Sequence, residues 1–201
     1  MDRRKLLILA VGLSFAGSAF AQISVSPARL RGKIDAVSAD AIQLTLRSGA
    51  QASAKLAPNA RIVWLTVAQL DEIKQGSYVG TAAVPLADGS LKALEVQVFP
   101  ESMRGVGEGS RDWDLGLGSS MTNGTVGSLV AAKGRTITIT YKGGEQRVVV
   151  PDDVPIVTYA RADRTALTVG ANVLINGTRA ADGTVTASSV SVGKNGLVPP
   201  M

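Results

Sequence analysis

Ala87-Asp88-Gly89-Ser90-Leu91-Lys92-Ala93 recurs 94 residues later as Ala181-Asp182-Gly183-Thr184-Val185-Thr186-Ala187. Self-similarity at a fixed spacing marks a duplicated structural unit. Working outward, Gly76-Ser77-Tyr78-Val79 parallels Gly170-Ala171-Asn172-Val173, and Ile62-Val63 parallels Ile156-Val157. Upstream, Ile42-Gln43-Leu44-Thr45-Leu46 parallels Ile137-Thr138-Ile139-Thr140-Tyr141, and Gly32-Lys33-Ile34 parallels Gly124-Thr125-Val126. The units run over residues 30–100 and 121–194, joined by a glycine-rich linker over 101–120.

Within each unit apolar and polar residues alternate, the period of a strand with one buried face. Ile42, Leu44 and Leu46 share one face, with Gln43, Thr45 and Arg47 on the other. Ser48-Gly49 and Lys142-Gly143-Gly144-Glu145 fall where a hairpin joins the second and third strands, and Asp88-Gly89 and Asp182-Gly183 suit a tight turn with positive φ before the last. Thr66-Val67-Ala68-Gln69 reads as a capping box opening a short helix through Leu70 and Ile73, stopped at Gly76, with a weaker counterpart over 161–169. Three strands, a short helix and two strands is the element order of an OB-fold. The chain is therefore expected to be all-β, two tandem small five-stranded OB-like barrels; a two-sheet sandwich made jointly by both units is the alternative. Units of about 70 residues without disulfides or metal build small cores, so the two are expected to pack together, with the segment around Trp113 in the contact.

At the start of the chain, Arg3, Arg4 and Lys5 precede an apolar run from Leu6 to Phe15, and Ala19-Phe20-Ala21 supplies the small residues a signal peptidase requires. Residues 1–21 read as a signal peptide cleaved after Ala21, which places the mature protein in the periplasm or outside the cell. The apolar run is short of the ~20 residues of a spanning helix, and no transmembrane segment is expected in the mature chain. Arg3-Arg4 leaves both the general and the twin-arginine export routes open.

Composition narrows the chemistry. The chain has no histidine and no cysteine, which removes Ser-His-Asp and Cys-His catalysis and the usual ligands of zinc, copper and iron. No cofactor is expected and the protein reads as a non-enzyme. Lys and Arg total 21 against 16 Asp and Glu; without Asp2, Arg3, Arg4 and Lys5 the balance is 18 against 15, a net charge of +3. That mild excess, with six aromatic residues after residue 21, argues against nucleic acid as a partner.

The chain resembles uncharacterised exported bacterial proteins that carry tandem copies of a domain of unknown function. The likeness lies in the Gly-x-Ile/Val starts at Gly32 and Gly124, the Ala-Asp-Gly turns, and the stretch Phe99-Pro100-Glu101-Ser102-Met103-Arg104-Gly105. It implies a periplasmic or secreted location and no established activity.

Two regions stand out as candidate sites. Lys133, Arg135, Tyr141, Lys142 and Arg147 would lie near the second and third strands of the second unit, the usual ligand face of an OB-fold, and with Trp113 they form the expected ligand-binding set. An anionic envelope polymer or another periplasmic protein fits that set and that compartment. The linker holds Arg111-Asp112-Trp113-Asp114, where Asp112, Asp114 and the carbonyls near Gly116 have a calcium-loop spacing, although position twelve is Asn123 rather than a bidentate Glu. The functional readings are thus a non-catalytic binding or adaptor protein, a calcium-dependent or carboxylate-based envelope protein centred on residues 101–114, and a purely structural envelope protein.

Overall fold

The computed structural model describes residues 25–130 and 135–200; residues 1–21, where a signal peptide is expected, and Lys133 lie outside the described residues. The chain is all-β. In the first repeat run β1 (Ser26–Val37), β2 (Ala41–Leu46), β3 (Gln51–Val67), β4 (Tyr78–Pro85) and β5 (Leu91–Val98). A short β6 (Gly109–Asp112) follows, and the second repeat supplies β7 (Ser120–Val130), β8 (Arg135–Tyr141), β9 (Gly144–Val150), β10 (Ile156–Arg161), β11 (Asn172–Arg179) and β12 (Val185–Gly193).

These strands close two five-membered rings, and neither ring is made by one repeat. In barrel one β1, β2 and β3 are joined antiparallel, β3 pairs in parallel with β12, and β12 returns through β11 to β1. In barrel two β7, β8 and β9 are joined antiparallel, β9 touches β5 in parallel through Leu91 and Lys92, and β5 returns through β4 to β7. Each is the strand order of an OB-like barrel, three strands from one repeat and two from the other. The expectation of one barrel over 30–100 and another over 121–194 thus gives way to two barrels with exchanged strand pairs.

The crossing segments account for the exchange. β3 is 17 residues long and does not reverse at Pro58-Asn59: Ala54–Leu56 and Arg61–Leu65 both pair with β12, across a register shift. Its far end carries the chain out of barrel one, as β10 carries it out of barrel two, and the two pair antiparallel from Val63↔Arg161 to Val67↔Val157. That ladder exists only because both repeats cross over, and ring closure leaves few strand edges exposed.

Alternation places the cores. Ile42 and Leu44 of β2 point into barrel one beside Leu30, Ile34, Ile175 and Val190. Ile137 and Ile139 of β8 do the same in barrel two, beside Val79, Val96 and Val148. The expected helices are single 3-10 turns, Leu70–Glu72 and Arg164–Ala166. The first is capped by Glu72, whose Oε1 accepts from the Gln69 amide at 2.7 Å, so the box begins at Gln69 and not Thr66. Each turn travels with the exchanged strands: Ile73 fills barrel two, and Ala166 and Leu167 fill barrel one.

Two glycine pairs hold the repeat pattern for different reasons. Gly89 and Gly183 take φ of +80° and +86° in the hairpin turns, where Asp88 accepts from the Ser90 amide at 3.0 Å and Asp182 from the Thr184 amide at 2.9 Å. Gly32 and Gly124 instead permit close strand approach, since a Cβ would lie 2.2 Å from the Thr45 carbonyl oxygen and 2.4 Å from that of Thr140.

Candidate functional site: the cleft between the barrels

β4 and β5 are buried on both faces, because one face fills barrel two and the other meets barrel one. A third apolar cluster marks the contact: Ala82 and Met121 of barrel two against Leu174 of barrel one, with Leu94, Trp113, Leu115 and Tyr159 packed on it. The segment 101–120 is built into this contact. β6 pairs with β7 from Gly109↔Asn123 to Asp112↔Ser120, and Arg29 of β1 stacks on Trp113 at 3.6 Å from the ring centroid. Asp114 binds Arg29 at 2.9 Å and Arg31 at 2.7 Å, and those guanidiniums, Arg31 foremost, hold its carboxyl down at about 2.

The same pairing argues against the calcium reading. Two guanidiniums occupy the positions a cation would need around Asp114, and among the described residues no group of three or more acidic side chains is placed to hold a metal.

Two adjoining cavities open beside this contact. One of about 480 Å³ is lined by Arg61, Arg161, Ser102, Met103 and Tyr159. The other, about 240 Å³, shares Arg61, Met103 and Tyr159 and reaches in to Gln97, Arg111 and Trp113. No carboxylate lines either one. Arg61 and Arg161 are exposed and their guanidiniums make no hydrogen bond or ion pair among the described residues, whereas Arg111 donates to the Gly107 carbonyl at 2.8 Å. The cleft is therefore a positive concavity with two uncommitted guanidiniums at its mouth.

Its floor is a buried polar chain. Tyr159 stacks near Phe99 at 5.3 Å and donates its hydroxyl to Gln97 Oε1 at 2.7 Å. Gln97 Nε2 in turn donates to Glu95 Oε1 at 2.8 Å. Glu95 is fully buried and its Oε2 has no partner. Burial pushes the Glu95 carboxyl up to about 8, against the opposing pull of the Gln97 hydrogen bond and of Arg31 and Arg47. Burial, and then the nearby Glu95, also push the Tyr159 phenol up. Two more buried polar atoms lack partners here, Trp113 Nε1 and Asn123 Oδ1.

The sequence-derived basic set lies elsewhere and does not converge. Arg135 opens β8 and pairs with Asp152 at 2.9 Å, while Tyr141 ends the strand six residues on, roughly 20 Å away. Arg147 points out of β9 to Asp88 at 3.0 Å, and Lys142 is exposed in the β8–β9 turn, its backbone amide donating to Glu108 at 2.9 Å. Lys133 lies outside the described residues. Of the described residues of the expected set, Trp113 alone lines the cleft.

The cleft residues Arg61, Glu95, Gln97, Tyr159 and Arg161 were not singled out by sequence reasoning. A signal for them existed in the repeat itself. At the 94-residue offset Tyr159 stands against Leu65, Glu95 against Ser189, Gln97 against Ser191 and Arg161 against Val67. At these positions one repeat has charged, polar or aromatic groups where the other has small or apolar ones.

The molecule belongs, by architecture, to double OB-like barrels with exchanged strands. Compared with known protein families, curated proteins and solved structures, the chain matches none.

Proposed function

We propose that this chain is an exported, non-catalytic binding protein of the cell envelope whose ligand is an anionic envelope polymer seated in the cleft between the barrels. The observation that carries the reading is the pair Arg61 and Arg161, exposed at the mouth of one concavity and committed to no carboxylate. Binding rather than catalysis is supported by a cleft lining without carboxylates in a chain without histidine or cysteine. Export rests on the signal-like residues 1–21 and on the resemblance to exported repeat proteins.

Calorimetric titration with polygalacturonate as the anionic probe tests this. Binding is expected, weakening as salt rises, and Arg61→Ala with Arg161→Ala together should reduce affinity at least tenfold. Arg147→Ala, on the β9 face, should leave it unchanged. Loss of binding in Arg147→Ala with none in the cleft variant would move the site to the β8–β9 face, and a purely structural protein would bind no probe.

A further inference from the structure

We infer that the cleft selects hydroxylated anions, an acidic sugar residue being the class that fits, with its carboxylate on Arg61 and a hydroxyl donating to the Tyr159 oxygen. This rests on the binding role proposed above and names the chemistry recognised.

The argument is one of hydrogen-bond direction. The Tyr159 proton is committed to Gln97 Oε1, and the Gln97 amide nitrogen is committed to Glu95. An amide has its oxygen on one side and its nitrogen on the other, and in the structure the nitrogen faces Glu95 Oε1, a carboxyl oxygen able to accept in either protonation state, which leaves the Gln97 oxygen turned to Tyr159. With its proton spent inward, the phenol offers the cavity only a lone pair. A group that meets it must donate, and a bare carboxylate or phosphate does not. Arg61 and Arg111, lining the same cavity, present only donors and require an acceptor of negative charge. Trp113 Nε1, buried without a partner in the lining, adds one more donor. A ligand that supplies both a donor hydroxyl and an anionic acceptor within one ring is an acidic saccharide. Anions without hydroxyls satisfy the arginines and leave the phenol unmet, and neutral sugars do the reverse.

The test titrates the full chain with three probes: trigalacturonate, which has carboxylates and hydroxyls; galactotriose, which has hydroxyls alone; and propane-1,2,3-tricarboxylate, which when ionised has carboxylates and no hydrogen-bond donor. Trigalacturonate is expected to bind at least tenfold more tightly than either. Tyr159→Phe should weaken trigalacturonate about tenfold and leave propane-1,2,3-tricarboxylate unchanged, while Arg61→Ala should weaken both. Circular dichroism of both variants confirms folding, and Arg61, being exposed, keeps the test informative should the buried phenol prove needed for stability. Propane-1,2,3-tricarboxylate binding as tightly as trigalacturonate, with Tyr159→Phe silent, overturns the sugar inference and leaves the anionic cleft standing. Galactotriose binding as tightly as trigalacturonate overturns the requirement for charge. Binding of none of the three overturns this inference and the proposed function together.

Discussion

Leu65 of β3 and Tyr159 of β10 face each other directly in the antiparallel ladder between the two barrels. They are also 94 residues apart, the offset of the repeat. Equivalent residues that pair with each other must lie at the pseudo-twofold axis of a duplicated molecule, and here that axis runs through the strands that carry the chain from one barrel to the other. The same position is apolar in one copy and a phenol in the other, so the cleft chemistry is asymmetric where the backbone is nearly symmetric.

Fragments 22–103 and 104–201 are expected to fail to fold separately and to fold on mixing. Each barrel takes three strands from one fragment and two from the other, so neither fragment can close a ring or complete a core. Circular dichroism and size exclusion of each fragment and of the mixture decide this. Two stable monomers with native-like spectra would contradict the exchanged topology.

Gly32→Ala should cost about 3 kcal/mol, because the added Cβ lies 2.2 Å from the Thr45 backbone oxygen and β2 must move. Gly89→Ala should cost only about 1–2 kcal/mol, the strain of a positive φ in a site with no atom within 4 Å of the new carbon. Denaturant unfolding of both variants checks the order; equal losses would mean that strand approach at Gly32 is looser than described.

Stability should fall as pH rises from about 4.5 to about 8, through Glu95. Its carboxyl is near 4.5 when solvated and is raised to about 8 by burial in the folded protein. Below 4.5 both states bind the proton. Between the two values the unfolded chain releases it first, which favours unfolding, and above 8 the effect is complete. Glu95→Gln removes the group, and should raise the melting temperature by several degrees at pH 8 with little change at pH 4.5. A parallel shift at both pH values would show that Glu95 acts through packing and not through its charge.

Asp114→Ala should release the segment 105–118 from β1 while both barrels stay intact. The carboxylate joins Arg29 and Arg31, but is 44% exposed, so the loss should be about 1 kcal/mol. Faster proteolysis within the segment and a red shift of tryptophan emission are the expected signs. In the parent protein the contribution of Asp114 is present above pH ~4 and lost as pH falls towards 2, since its folded value is the lower one.

Local chemistry made much of this molecule legible in the sequence. The alternation of Ile42, Gln43, Leu44 and Thr45, the Asp-Gly turns at Gly89 and Gly183 and the 94-residue repeat each depend on neighbours along the chain, and they specify strands, hairpins and two OB-like barrels. Which strands close which barrel is a different kind of fact. Both copies present nearly the same edges, so the sequence pattern is compatible with closure inside a repeat or between repeats, and the outcome turns on β3 running straight past Pro58 and finding β10. The cleft follows from that outcome. Arg61, Glu95, Gln97 and Tyr159 come from three strands of both repeats, and only the crossing of β3 and β10 brings them together. The basic residues of β8 and β9 looked like a site because they are close in sequence, but a strand spreads its neighbours over about 20 Å and two faces, and their charges are met by Asp152 and Asp88. Sequence determined the parts because strand and turn preferences are local; tertiary structure alone decided the cleft, because its groups meet only across the exchanged strands.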